Sequence, residues 1–249
     1  MNKISIITAT YNSQATVEYT LKSISEQTHP VIEHIIIDGF STDKTLEIVK
    51  SFPHVHTIIS ERDGGIYEAM NKGIAIASGD IIGILNSDDI YVDRNVLEEV
   101  ARIFENESVD VCYADLQYVE SHQSSRVVRK WRSGNFSDRS FYWGWMPPHP
   151  TFFVRKKVYE KVGLFNTDLR SAADYELMLR ILLKNKMAAH YMPKIIVSMR
   201  SGGVSNASIQ NRIRANKEDR LAWKMNGLRP YFFTLYLKPL RKITQFLIK

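Results

Sequence analysis

The sequence predicts an α/β fold: a Rossmann-like, mostly parallel central sheet with flanking helices, followed by a helical C-terminal extension. Three observations predict it. Over the first 115 residues, short apolar runs alternate one for one with stretches of helical periodicity, and strands separated by single helices pair in parallel through right-handed crossovers. Four of these runs end in polar clusters: Thr10-Tyr11-Asn12, Asp38-Gly39, Glu61-Arg62-Asp63-Gly64-Gly65 and Asn86-Ser87-Asp88-Asp89. Charge is divided too. Residues 1–115 hold 8 Lys+Arg against 19 Asp+Glu, a net −11, whereas residues 116–249 hold 25 against 8, a net +17. The overall +6, taken alone, would suggest a nucleic-acid or membrane-surface partner. It is the sum of two halves that need separate explanations.

The elements follow in order. Ile4 to Thr10 is the first strand, and Val17, Leu21 and Ile24 then recur at helical spacing. Ile32 to Ile37 is the second strand, and Ser41 reads as the N-cap of a helix carrying Leu46, Ile48 and Val49. Val55 to Ile59 is the third strand. Ile66 to Ala77 is a helix with Ile66, Met70, Ile74 and Ala77 on one face, stopped by Gly79. Ile81 to Leu85 is the fourth strand, Arg94 to Phe104 a helix, and Val109 to Ala114 a strand. In the basic half, Thr151 to Val154 and Ile195 to Met199 read as strands. Leu177, Leu179, Ile181 and Leu182 read as a helix after Asp174, and Asn206 to Lys224 as a charged one.

Composition narrows the function classes. At 44% hydrophobic and 24% charged residues, disorder is excluded as the main reading. The single cysteine, Cys112, excludes a disulfide framework and a Cys-based zinc site, and it fits a reducing compartment. It lies in an apolar strand, where packing is the expected role. The apolar stretch at Met1–Ile7 is too short for a signal peptide. No run of about 20 apolar residues suggests a membrane span. A cytoplasmic protein is expected.

In open α/β sheets ligands bind beyond the carboxyl ends of the strands, so the four clusters converge on one edge. No Gly-x-Gly-x-x-Gly follows the first strand and no Gly-x-x-x-x-Gly-Lys-Ser/Thr occurs, which argues against a dinucleotide site and a P-loop. The edge holds Asp38, Asp63, Asp88 and Asp89 instead. Carboxylates meet phosphates through a hard cation such as Mn²⁺ or Mg²⁺, so a nucleoside diphosphate with its metal is the expected ligand. Asp38 suits a base N–H or a ribose hydroxyl, and the Asp88-Asp89 pair suits ribose and metal. Singly, Asp-Asp is equally a turn or helix cap, Asp38-Gly39 a turn, and Arg62 to Gly65 a loop.

Thr8-Ala9-Thr10-Tyr11-Asn12 and Ile36-Ile37-Asp38-Gly39-Phe40-Ser41-Thr42-Asp43-Lys44-Thr45 resemble the opening of a family-2 glycosyltransferase of the GT-A fold. Ser60 to Gly73 and Leu85-Asn86-Ser87-Asp88-Asp89 are similar to the colanic-acid-type (WcaA-like) subgroup, and the resemblance covers roughly residues 3–205. It implies an inverting sugar transfer from a nucleotide-sugar, with a UDP-sugar favoured, to an acceptor hydroxyl on a glycan or lipid-linked glycan. Thr10, Tyr11 and Asn12 would line the nucleotide pocket, Asp38 would contact the base, Asp88 the ribose, and Asp89 the metal. Arg62 and Asp63 would lie near the nucleotide or donor sugar. Lys72 would face a phosphate or, equally, solvent. Ser87 stands where the first carboxylate of an Asp-x-Asp motif would be, leaving Asp89 as the main metal ligand.

Inversion needs one carboxylate within reach of the acceptor hydroxyl. The candidate is Asp174 in Ala173-Asp174-Tyr175-Glu176-Leu177, which resembles the family's Glu-Asp-x-x-Leu motif with Ala173 in place of Glu. Capping its own helix is the alternative role for Asp174. Trp143, Trp145 and His149 lie in a Trp/Pro-rich loop that suits sugar stacking or, equally, a stiffened loop with buried aromatics. The resemblance implies that His149 contacts donor sugar or diphosphate. Arg200 precedes Gly202-Gly203, which reads as a loop closing on the diphosphate or as an ordinary turn. No Gln-x-x-Arg-Trp occurs, so a single addition per encounter is expected.

Gly227 and Pro230 break the chain before a basic amphipathic tail, in which Tyr236, Leu240, Ile243 and Leu247 share one side and Lys238, Lys242 and Lys249 the other, with Pro239 breaking or kinking it. A membrane surface is the expected partner; docking on the domain or a homodimer contact are the alternatives. The expected organisation is a transferase domain over 1–205 (a nucleotide-sugar half over 1–115 and an acceptor half over 116–205) and the extension over 206–249. The competing readings are a nucleotidyltransferase and a non-enzymatic anionic-membrane or nucleic-acid binding module. Nucleic acid is not expected, because the acidic strand ends do not suit it.

Overall fold

The computed structural model describes residues 1–121, 124–201 and 209–245. Its centre is a sheet in the order β3-β2-β1-β4-β8-β6-β9-β5, with β7 paired to β6. The strands are β1 (Ile4–Thr10), β2 (Ile32–Asp38), β3 (Val55–Ser60), β4 (Ile81–Ile84), β5 (Asp89–Tyr91), β6 (Val111–Ser121), β7 (Ser124–Trp131), β8 (Phe153–Arg155) and β9 (Ala189–Arg200). The β3-β2-β1-β4 block and the β6–β9 pair are parallel. β8 is antiparallel to β4 and β6, and β5 is antiparallel to β9. The two halves read from the sequence therefore share one sheet, because a strand from the basic half inserts beside β4.

Period-two alternation sends Ile4 and Ile6 to one face of β1 and Ile7 and Ala9 to the other, where separate cores form. One core packs α1 (Val17–Ser25) and α4 (Val96–Ile103) on the sheet. The other packs α3 (Ile66–Ile76), α5 (Lys156–Val162), α6 (Ala173–Met178), α7 (Ile209–Met225) and α8 (Thr234–Thr244). α2 (Thr45–Lys50) closes a smaller cluster with α1 through Val17, Leu21 and Val49. Gly73 lets α3 lie directly on β1, since a Cβ there would overlap Ile7. The strand order reverses direction between β1 and β4, which creates a crevice at their carboxyl ends.

Several sequence expectations are corrected. Ser41 does not cap α2: its hydroxyl is taken by Asp38, while Asp43 accepts from the Thr45 N–H at the helix start. α3 ends at Ala77, which is extended, and Gly79 serves instead to bring its N–H onto the Ser5 hydroxyl of β1. Ile66, expected on the apolar face of α3, is exposed. Asp89 opens a strand rather than a helix. After α6 the chain widens into a π-helical turn over Leu179–Lys184.

The C-terminal extension is packed rather than appended. Trp223 and Leu235 are buried in the same core as α6. Lys238, expected on an outer polar face, turns inward: its ammonium pairs with Asp219 at 2.7 Å and lies 3.6 Å from the Tyr175 ring centroid. Pro239 stays inside α8 without ending it. Tyr236 and Leu240 are exposed, whereas the expectations for the side chains of Lys242 and Ile243 and for Leu247 and Lys249 fall outside the description. No helix among the described residues is long and apolar enough to cross a membrane.

Candidate active site

The loops after β1, β2, β3 and β4 meet at the crevice. Ser13 and Ser87 hydroxyls lie 2.9 Å apart, tying the Thr10–Asn12 loop to the Asp88 loop. The Asn12 N–H donates to the Ser41 hydroxyl and its Oδ1 accepts from the Thr42 N–H, both at or below 2.9 Å. Asn12 and Phe40 both take left-handed backbone angles (φ 47° and 66°), uncommon for residues with a side chain and frequent at functional sites. The turn leaves Phe40 exposed, with the Arg62 guanidinium 5.8 Å from its ring centroid. Tyr11 is 65% exposed beside it, and a Cβ on Gly39 would touch both Tyr11 and Asp63. Tyr11, Phe40, Arg62 and Asp63 thus form an open aromatic and charged mouth. Asp63 also accepts from the Gly65 N–H at 2.9 Å, and φ 131° at Gly65 demands glycine.

Asp38 is buried and spent. Its oxygens accept from Thr10 Oγ1 (3.0 Å), Ser41 N (2.9 Å), Ser41 Oγ and Ser60 Oγ (2.7 Å). A carboxylate offers about four lone-pair sites, so none is left for a nucleobase. Asp38 latches the ends of three adjacent strands, and Thr10, also buried, is one of its donors. Lys72 is likewise engaged, with Glu61 at 2.8 Å and Glu68 at 3.1 Å. These hydrogen bonds hold its pKa above the usual lysine range.

Asp88 is half-buried, while Asp89 directly behind it is fully buried, 0% exposed. Burial first, and then the Asp88 charge, push the Asp89 pKa well up; the Asn86 amide, 3.0 Å from Oδ2, opposes them. Asp89 Oδ1 and Asn86 Oδ1 have no hydrogen-bond partner among the described residues. Orphaned oxygens around a destabilised carboxylate are a donor set that fits a hard divalent cation. Among the described residues no group of three or more His, Cys, Asp or Glu is arranged to hold a metal, so substrate oxygens would have to complete the shell. Arg200 ends β9, one residue beyond Met199, which pairs with Asp89. The Gly202-Gly203 loop after it lies outside the described residues.

On the other side, Asp174 stands in the first turn of α6, where its side chain makes no cap. Its Oδ1 accepts from the Tyr67 hydroxyl of α3 at 3.3 Å. His149, on a 3-10 turn over His149–Thr151, is influenced by the same carboxylate: burial lowers its pKa and Asp174 works against that. Glu176 points away, bonded to Arg180 at 2.8 Å and to Asn226 at 2.9 Å. Trp145 is only 4% exposed, its indole N–H donating to the Ser133 carbonyl and its ring edge-on to Tyr113 and Phe141. It is core rather than a sugar platform. Trp143 is exposed but lies against Phe233 of the C-terminal segment. Sequence reasoning missed Phe40 and Tyr67. The polar pair Tyr67 and Asn71, four apart on an apolar helix, was the available signal for the second.

A mostly parallel sheet with its polar loops at the switch point, faced by the Asp174 carboxylate on α6, suits the GT-A glycosyltransferase class. The solved structures agree on the fold. Staphylococcus aureus TarS (residues 1–349) matches with TM-score 0.69 at 19% identity, over 97% of this chain and 72% of that one. The mannosyltransferase PcManGT from Pyrobaculum calidifontis, in complex with GDP-Man and Mn²⁺, matches with TM-score 0.68 at 18% identity, over 99% and 70%. The chain belongs to glycosyl transferase family 2, whose sequence profile matches residues 5–163. A PGL/p-HBAD biosynthesis glycosyltransferase of Mycobacterium bovis is 30% identical over 211 residues, 82% of this chain and 80% of the relative. The protein is therefore a glycosyltransferase, and the nucleotidyltransferase and pure binding-module readings are set aside.

Proposed function

We propose that this chain is an inverting, non-processive, metal-dependent transferase that moves a sugar from a nucleotide-sugar to an acceptor hydroxyl in surface-polysaccharide or lipid-linked glycan assembly, within or near the colanic-acid-type subgroup. The observation that carries it is Asp174: one half-buried carboxylate, with no cap to make, beside His149 and Tyr67. In inversion that carboxylate takes the acceptor proton as the hydroxyl attacks the anomeric carbon, and the nucleoside diphosphate leaves from the opposite face. Tyr11 and Phe40 suit stacking on the base, with Arg62 and Asp63 reading base, ribose or donor sugar. Arg200 would lie toward the diphosphate. Asp88 and Asp89 would hold Mn²⁺ or Mg²⁺ together with diphosphate oxygens, and a bound cation stabilises charge on the leaving group. TarS solved in complex with UDP-GlcNAc supports a UDP-sugar; PcManGT with GDP-Man makes GDP-sugars the second donor class to try.

A screen of nucleotide-sugars with Mn²⁺ and Mg²⁺, read as released nucleoside diphosphate, identifies the donor. Asp174→Asn then loses about 10³-fold in kcat, typical for a general base, with UDP–Mn²⁺ affinity unchanged. Full activity in that variant would sink the base assignment. A membrane surface is part of the same reading. Trp143, Tyr231, Phe232 (88% exposed), Tyr236 and Leu240 are exposed around Phe233 and α8, with Arg241 and Arg220 alongside, an aromatic and basic surface suited to anionic lipid at the inner membrane face. Replacing Phe232, Tyr236 and Leu240 together by Ser should abolish sedimentation with phosphatidylglycerol vesicles. Equal sedimentation of both proteins, or a dimer broken by the same variant with no vesicle binding, would overturn it.

A further inference from the structure

We propose that Tyr67 is a positioning residue for the Asp174 carboxylate, and that α3 is the strut that carries it; this rests on Asp174 acting as the general base. The Tyr67 hydroxyl donates to Asp174 Oδ1 at 3.3 Å. A side chain of α3 therefore reaches the carboxylate of α6 from 107 positions away in the chain. Such contacts are often long in the free enzyme and tighten when substrate binds.

Tyr67 is itself held. Its ring stacks on Phe165 with centroids 5.6 Å apart and planes at 25°. Asn71, one helical turn along α3, binds the Phe165 main chain twice, donating from Nδ2 to the carbonyl and accepting from the N–H, each at 2.9 Å. The Phe165 ring then meets His149 edge-on at 5.5 Å. Tyr67, Asn71, Phe165, His149 and Asp174 form one connected assembly built from three distant parts of the chain. The run from Tyr67 to Gly73 acquires a role residue by residue. Tyr67 grips Asp174, Asn71 grips the loop ahead of it, Met70 fills the core, and Gly73 seats the helix on β1.

The phenol is suited to the task. Burial, followed by the charges of Asp174 and of Glu218 on α7, pushes its pKa above the usual tyrosine range, so it stays a donor at every working pH. Tyr67 from α3 and His149 from its turn interact with the carboxylate, while Glu218 of α7 acts on the phenol and accepts from the Ser171 N–H at 2.7 Å. The Tyr67 hydroxyl should thus aim Asp174 at the acceptor.

Tyr67→Phe keeps the ring stack and the Asn71 link and removes only the O–H. The expected result is about a 10-fold fall in kcat with donor KM and the unfolding midpoint both unchanged. An unchanged kcat, or a loss of activity that comes only with lower thermal stability, would overturn the inference. The two readings fail separately. If Asp174→Asn remains active, the base assignment falls whatever Tyr67 does. If that variant is dead while Tyr67→Phe keeps its rate, the positioning role alone falls.

Discussion

Asp38 and Asp174 both carry charge expected of a ligand site, and the two regions treat them differently. At the strand-end edge, Asp38 is buried and accepts from Thr10 and Ser60 at the ends of the two adjacent strands and from Ser41 in the loop that follows β2. In the cradle of α6, α7 and α8, Asp174 stays half-open and is approached by Tyr67 from across the sequence. Everything around Asp174 is anchored instead. The next residue, Tyr175, accepts from the buried Trp223 indole at 2.9 Å and lies under the Lys238 ammonium, while Glu176 is bonded by Arg180 and Asn226. A carboxylate whose acceptor sites are all filled organises loops. One with spare acceptor capacity on a rigid support is available for chemistry. Asp89 is a third case, buried and with one oxygen that finds no hydrogen-bond partner among the described residues.

This contrast can be broken from either side. The largest effect is expected at the support. Trp223→Ala empties a fully buried site and should destabilise the protein by about 3–5 kcal/mol, with kcat falling because α6 loses its anchor. Urea denaturation together with donor turnover would check it, and normal stability and rate would show that α7 is dispensable to the cradle. A smaller loss, about 2–3 kcal/mol, is expected for Asp38→Ala, which strands the Thr10, Ser41 and Ser60 donors. If that variant kept its stability but lost UDP affinity, Asp38 would be a ligand contact after all. Asp174→Asn, by contrast, should leave the unfolding midpoint in place while removing turnover.

Legibility followed the range of the forces involved. β1, β2 and β4 were readable because each is a short apolar run with most of its residues buried, and β3, a half-buried edge strand, because its own run Val55 to Ile59 is apolar. β7 was not, because Ser124–Trp131 is polar and basic and pairs only as the outer partner of β6. Asp38, Lys72 and Trp145 were recognisable as notable residues, yet their partners Ser60, Glu61 and Ser133 could not be assigned from spacing. Lys238 looked like the polar side of a surface helix until Asp219 and Tyr175 were found beneath it.

From the sequence alone came the α/β class, the alternation that lines up four polar strand ends, the split of charge, and the resemblance that singled out Asp174. Those depend on burial and local periodicity, which act over a few residues. The insertion of β8 beside β4, the spending of Asp38, the burial of Asp89 behind Asp88, and the grip of Tyr67 on Asp174 were decided only by tertiary structure. A hydrogen bond between residues 107 positions apart leaves no periodic trace in the chain, and whether a carboxylate is a latch, a ligand or a base depends on which donors the fold brings to it.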